Sequence, residues 1–167
     1  MYKPTLYILS GVAGCGKSTW VQNKLKENKT RSLEPMWEYV SRDEVRFSMV
    51  KEEDDYFSKE KQVFNEYVNR IVKSLEDTYV VNTIADATQL NEVSRLKLIN
   101  AIKKMRPNLD FDVVVVYFDV PLEVCQFRNA KRSGRARVPE NVITKMYGSL
   151  EFPKCHKNLV KVEIVRD

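Results

Sequence analysis

An α/β fold, an open and mainly parallel five-stranded sheet flanked by helices, is the class this sequence predicts, and three observations predict it. Short apolar runs with strand character alternate with longer stretches of helical periodicity, the order expected of βαβ units. Glycine is scarce, five residues in 167, yet Gly11, Gly14 and Gly16 fall close together directly after the first apolar run. Chains that crowd glycine into one strand-to-helix turn have a backbone task there. The apolar runs are also short: the longest, Val113 to Phe118, has six residues, against the ~20 of a membrane span.

The elements follow in order. Residues Thr5–Ser10 (TLYILS) read as a buried first strand, and Lys17 to Glu27 as a helix with Trp20, Val21 and Leu25 at helical spacing. Trp37–Val40 is a short second strand. Ser58 to Asp77 is a long helix whose apolar face carries Val63, Phe64, Tyr67, Ile71, Val72 and Leu75. Tyr79–Ala85 is the third strand and Glu92 to Met105 the next amphipathic helix. Phe111–Phe118 (FDVVVVYF) is the clearest buried strand, followed by a helix from Leu122 to Arg132 and a basic irregular stretch, Ser133–Val138. Pro139 suits the first turn of a helix running to about Leu150. Leu159–Val165 alternates and closes the sheet. No repeat or linker divides the chain, so residues 1–167 are expected to form one domain.

Composition excludes several classes. With 43% hydrophobic and 31% charged residues, neither disorder nor low-complexity sequence is expected. The apolar stretch Leu6 to Leu9 runs into glycines instead of a cleavage site, so no secretory leader is expected. Cys15, Cys125 and Cys155 are odd in number and scattered, which fits reduced thiols and a cytoplasmic location. The formal charge of +5 permits a polyanionic partner without requiring one.

Residues Gly11 to Ser18 read GVAGCGKS, the pattern G-x-x-x-x-G-K-[ST] of a phosphate-binding loop, set between a strand and a helix. Glycines let successive amides turn toward a phosphate, and the following helix adds the field of its N-terminus. Gly11, Val12, Ala13, Gly14, Cys15, Gly16, Lys17, Ser18 and Thr19 are therefore the expected ATP contacts. Lys17 would reach the β- and γ-phosphates, and the Ser18 hydroxyl would serve Mg²⁺. Cys15 occupies a variable position, where its backbone matters more than its thiol. The guanine-reading N-K-x-D is absent, the nearest string being Asn100–Lys103 (NAIK), so a switch GTPase is disfavoured and a small kinase favoured.

Open parallel sheets bind ligands at the carboxyl ends of their strands. Asp43 lies just beyond the second strand, in SRDEVR (Ser41–Arg46), and Arg46 would share a helical face with it. A carboxylate beside an arginine can take a proton from a hydroxyl while the arginine holds a phosphate; the same aspartate could equally cap a helix. Asp86 ends the third strand and is a second candidate acid, with a turn aspartate as its bland reading. Asp119 ends the next strand and ranks lower, reading as a cap of the following helix. The segment from Arg128 to Pro139 holds Arg128, Lys131, Arg132, Arg135 and Arg137 around Gly134. It reads as an arginine-rich lid that closes over phosphates, or else as a solvated basic loop.

These blocks together resemble the phage-type 5′-hydroxyl polynucleotide kinase family. GVAGCGKST resembles its phosphate loop, SRDEVR its S-R-D-x-x-R block, ADATQLN (Ala85–Asn91) its D-x-x-x-N segment, and FDVP with RNAKRSGRARVP its lid. MYGSL (Met146–Leu150) fits the helix after that lid, so the resemblance spans about residues 5–150. It implies a P-loop kinase using ATP and Mg²⁺ to phosphorylate the 5′-OH end of DNA or RNA. It makes Asp43 the general base, Arg46 a ligand of the acceptor's 3′-phosphate, and Asp86 part of the acceptor site. It also puts Arg132 on the transferring phosphoryl group and Arg128 at the nucleotide. Members often carry a fused 3′-phosphatase, for which 167 residues leave no room. Asp110 and Asp112 precede their strand and read as charged strand entry. Two alternatives remain: a kinase of a small-molecule hydroxyl (nucleoside, sugar or antibiotic), and a nucleotide-switched nucleic-acid-binding protein.

Overall fold

The computed structural model describes residues 2–29 and 36–167. The chain runs β1 (Thr5–Ser10), α1 (Lys17–Lys29), β2 (Met36–Ser41), α2 (Arg42–Met49), α3 (Glu60–Glu76) and β3 (Val80–Asp86). It continues through α4 (Glu92–Met105), β4 (Asp112–Asp119), α5 (Leu122–Ala130), a 3₁₀ turn (Gly134–Ala136), α6 (Glu140–Gly148) and β5 (Leu159–Arg166). The strands form one sheet in the order β2-β3-β1-β4-β5, and every pairing is parallel.

Strand alternation sorts the core into two layers. Leu6, Ile8, Val113 and Val115 face one side, where they meet Val63, Ile71 and Val72 of α3 and Leu98, Ile99 and Ile102 of α4. Leu9, Val114, Val116 and Phe118 face the other, against Val21 of α1, Cys125 of α5 and Ile143 of α6. Burial on both faces explains why β4 reads as an unbroken valine run. Placing β1 between β3 and β4 brings the ends of three strands to one crevice.

Most boundaries agree with the sequence reading to within one or two residues. One element the periodicity did not delimit is α2. It has eight residues, too few for a periodic signal, and it starts at the residue after β2. Ser41 is both the last strand residue and the N-cap, its hydroxyl accepting from the Glu44 amide at 3.2 Å. Helix α5 stops at Ala130, before the expected Arg132. Its last turn is diverted because the Asn129 side chain donates to the Val138 carbonyl (2.6 Å) and accepts from the Val138 amide (2.9 Å). Pro139 sits one residue before α6, at its N-cap, with extended ψ of 140°.

Candidate active site

The phosphate loop leaves β1 into a tight frame. A Cβ on Gly14, whose φ is +82°, would lie 2.4 Å from the Cys125 carbonyl of α5. Only glycine fits there, on conformation and on space alike. Val12, Ala13 and Cys15 are buried as packing side chains, and burial pushes the Cys15 thiol up, which keeps it protonated. Lys17 Nζ donates to the carbonyls of Gly11 (2.8 Å) and Val12 (3.0 Å), so its charge lies across the loop. Ser18 and Thr19 are exposed on the first turn of α1. A loop backbone that admits no Cβ at Gly14, a lysine folded over it and a hydroxyl on the first helical turn fit a nucleotide triphosphate. Among the described residues no cluster of three or more His, Cys, Asp or Glu could hold a metal by itself. The Ser18 hydroxyl, exposed at the start of α1, has the oxygen-donor chemistry that Mg²⁺ takes together with waters and a nucleotide's phosphates.

Asp86 ends β3, the neighbour of β1. Tyr39 on β2 donates its hydroxyl to the Asp86 carboxylate at 2.5 Å. Burial raises the Asp86 pKa; the Lys17 charge and the Tyr39 bond pull it back, and Asp43 raises it again. Register places these groups at one edge of the sheet: Ser41, two residues before Asp43, pairs with Asp86 across β2 and β3, and Ile8, three residues before the phosphate loop, pairs with Ala85 across β1 and β3.

Asp43 lies in the first turn of α2, and Ser41 takes the capping position instead. The Asp43 side chain is 64% exposed. It accepts from Arg46 at 2.6 Å and from the Tyr56 hydroxyl at 3.2 Å. Arg46, only 7% exposed at its side chain, is also gripped by both Glu60 oxygens, at 2.9 and 3.0 Å. Glu60 further accepts from Arg42 at 2.5 Å.

Behind the crevice, the loop after β3 is tied to the end of β1. The Gly11 amide donates to the Thr88 carbonyl at 3.0 Å, and Ser10 Oγ to the Gln89 carbonyl at 2.7 Å. Gln89 has a φ of +41°, unusual for a residue with a side chain. Its amide group repays this, donating to Leu9 O (2.7 Å) and Ala85 O (3.1 Å) and accepting from Tyr67 (3.0 Å). Arg95, fully buried in α4, donates to Ser10 Oγ at 2.7 Å and to the Glu151 carbonyl at 3.0 Å. It is paired with Glu92 at 3.2 Å.

The basic segment leaves α5 and returns at Val138. Arg128 packs beside the loop, 3.7 Å from where a Gly16 Cβ would be, and pairs with Asp167. Gly134 has φ of +59°. The Arg135 guanidinium lies 5.3 Å from the centre of the Phe47 ring, so this segment touches α2. Among the described residues the Arg132 side chain, half-buried, has no hydrogen bond or ion pair. Asp119 accepts from Arg166 at 3.2 Å instead of capping α5, and Asp110 and Asp112 both pair with Lys3 as strand-entry charges.

The structure thus gathers Lys17, Asp43 and Asp86, with Arg46 behind Asp43 and Arg128 beside the loop. Sequence reading missed Tyr39, Tyr56, Glu60, Gln89 and Arg95. Tyr39 could have been found, since a strand tyrosine two residues before SRD faces the crevice by alternation. Glu60 and Tyr56 arrive from a separate segment and leave no local signal.

A family model described as an AAA domain matches residues 6–153. Among curated proteins, no sequence matches. Solved structures share the fold. A chain of the Pnkp1/Rnl/Hen1 RNA repair complex superposes with a TM-score of 0.69 at 23% identity, over 90% of this chain and 45% of that one. A fungal RNA kinase gives 0.65 at 14% identity, over 99% of this chain and 76% of that one. A sugar kinase from Janibacter sp. HTCC2649 gives 0.60 at 15% identity, over 98% and 85%. This chain spans less than half the length of the RNA repair chain it matches.

Proposed function

Because the chain belongs to the AAA domain family and has the fold of a P-loop kinase, for which ATP binding follows, we propose that it transfers the γ-phosphoryl group of ATP to the 5′-hydroxyl of DNA or RNA. The observation that supports this reading is Asp43 itself, exposed and oriented by Arg46 and Tyr56, two residues beyond Ser41, the strand partner of Asp86.

In the transfer, the 5′-oxygen forms a bond to the γ-phosphorus as the bond to the β–γ bridging oxygen breaks, and ADP leaves. Asp43 accepts the hydroxyl proton. Its two donors fix which oxygen points outward, a requirement for general-base geometry. Lys17 meets the charge that grows on the bridging and γ-oxygens. The Ser18 hydroxyl would hold an Mg²⁺ beside the phosphates, and the ion would supply further neutralisation of that charge. Asp86 would bind or orient the acceptor from the β3 side. Arg46 orients Asp43, and meets the acceptor's 3′-phosphate if Glu60 yields part of its hold. Arg132, carried on the segment around Gly134, would approach the transferring group when the segment closes as a lid, with Arg128 on the nucleotide side.

Labelled ATP, offered with 5′-OH DNA, 5′-OH RNA, nucleosides and sugars, tests this. Label should enter an oligonucleotide and be lost in Asp43→Ala. Transfer to a small alcohol alone supports the second reading, a small-molecule kinase, which the sugar-kinase neighbour keeps in view. Nucleotide-dependent binding of nucleic acid with no labelled product would instead mark a nucleotide-switched binding protein.

A further inference from the structure

The loop between α2 and α3 and the exposed side of α2 bring three aromatic rings together next to Asp43. Phe57 is 65% and Phe47 44% exposed. Tyr56 stands between them, its ring centre 4.8 Å from that of Phe57 and 6.5 Å from that of Phe47, edge-on to the first at 86°. Its hydroxyl reaches Asp43 itself. Guanidinium groups border the cluster: Arg46 lies 4.7 Å from the Tyr56 ring centre and Arg135 5.3 Å from that of Phe47. Large exposed aromatics clustered with arginines are costly to leave in water and mark a recognition surface.

We infer that Phe47, Tyr56 and Phe57 form a stacking platform for the 5′-terminal nucleobase of a single-stranded nucleic-acid acceptor. The inference rests on the proposed function and specifies its substrate. A nucleoside whose 5′-hydroxyl meets Asp43 carries its base one sugar ring away, the reach from Asp43 to Tyr56 and its neighbours. Every base has a π-face, so the platform accepts any of the four, and the arginines add cation–π attraction. Glu52, Glu53, Asp54 and Asp55 directly precede Tyr56, and Asp54 and Asp55 accept from the amides of Lys51 and Phe57. These carboxylates disfavour a phosphate on that side. A 5′-OH end fits, because no phosphate precedes its terminal base, whereas an internal stretch of strand does not.

The test compares two single-stranded 5′-OH oligonucleotides, identical except that one has an abasic 5′-terminal residue. The wild-type protein should phosphorylate the base-bearing strand with a KM about tenfold lower, the size of one stacked base. In Phe47→Ala/Phe57→Ala that gap should close; Phe57→Ala alone, at the more exposed ring, should narrow it, and Phe57→Trp should keep it. Equal KM values for the two strands in the wild type would overturn the platform while leaving the kinase reading intact. Absence of transfer to any oligonucleotide would overturn both. A double variant that loses activity on both strands by the same factor would make the rings structural and overturn the platform. So would a shift from dimer to monomer in sedimentation with the gap retained, since it would make this face a contact between copies.

Discussion

Asp86 holds a charge in surroundings that resist it. Burial raises its pKa, so the folded chain binds this proton more tightly than the unfolded chain does. The stability this lends is full below the ordinary carboxylate value of 3.8 and is lost as pH rises through the folded value. Above the folded value ionisation therefore costs stability, and Asp86→Asn should raise the melting temperature there while impairing transfer. Near pH 3 the same substitution should leave the melt nearly unchanged, since the group is neutral in both states. Tyr39→Phe removes a bond that favours the charged form, so the acidic limb of the pH–rate profile should move to higher pH. A limb that stays in place would separate Tyr39 from the chemistry. Lys17→Met should lower turnover by about 10²–10³, the range for losing one preorganised donor at a developing charge; calorimetric titration would show how much of this is nucleotide binding.

Helix α2 carries Asp43 yet is only eight residues long, so it depends on what holds it. Its Ser41 cap secures the start, and Glu60, at the start of α3, grips both Arg42 and Arg46. Removing Glu60 leaves the buried Arg46 guanidinium with only Asp43 and Tyr56, both on one of its nitrogens. Breaking a fully buried pair costs about 3–5 kcal/mol. Because Glu60 is 35% exposed, water tempers this, and Glu60→Ala should cost about 2 kcal/mol. That corresponds to a fall of about 4–8 °C in thermal melting, with a larger loss of activity than Glu60→Gln. On the donor side, α5 presses its Cys125 carbonyl against Gly14. Gly14→Ala should unseat the loop and abolish nucleotide binding. Some of this was visible without coordinates. The loop motif, the strand before it and the long α3 all announce themselves through spacing. Helix α2 does not, because two turns are too short for periodicity. The Asn129–Val138 clasp that ends α5 pairs residues nine apart, and no local propensity records that.

At the scale of the molecule, alternation of strands and helices made the parallel sheet legible, down to five strands and their limits. The order β2-β3-β1-β4-β5 was not, since it depends on which apolar faces find each other across the sheet. The positions of Asp86 and Asp43 beside strand ends were legible, and Tyr39 follows from strand alternation; Tyr56 and Glu60 were not legible, because they reach Asp43 and Arg46 only through tertiary packing. The net charge of +5 also acts globally. An oligonucleotide acceptor should bind more weakly as salt rises, with a KM that climbs between 50 and 200 mM salt, while KM for ATP changes less. The bonds joining Ser10, Gly11, Thr88, Gln89 and Arg95 have a dynamic consequence. They fuse the phosphate loop to the segment after β3, so neither can open without breaking a buried bond. The Gly11 amide should exchange its proton with solvent only when the whole chain unfolds. Amides from Ser133 to Arg137, outside this knot, should exchange many orders of magnitude faster. In the proposed kinase this knot would keep the seats of the two substrates at a fixed separation and leave motion to the arginine segment.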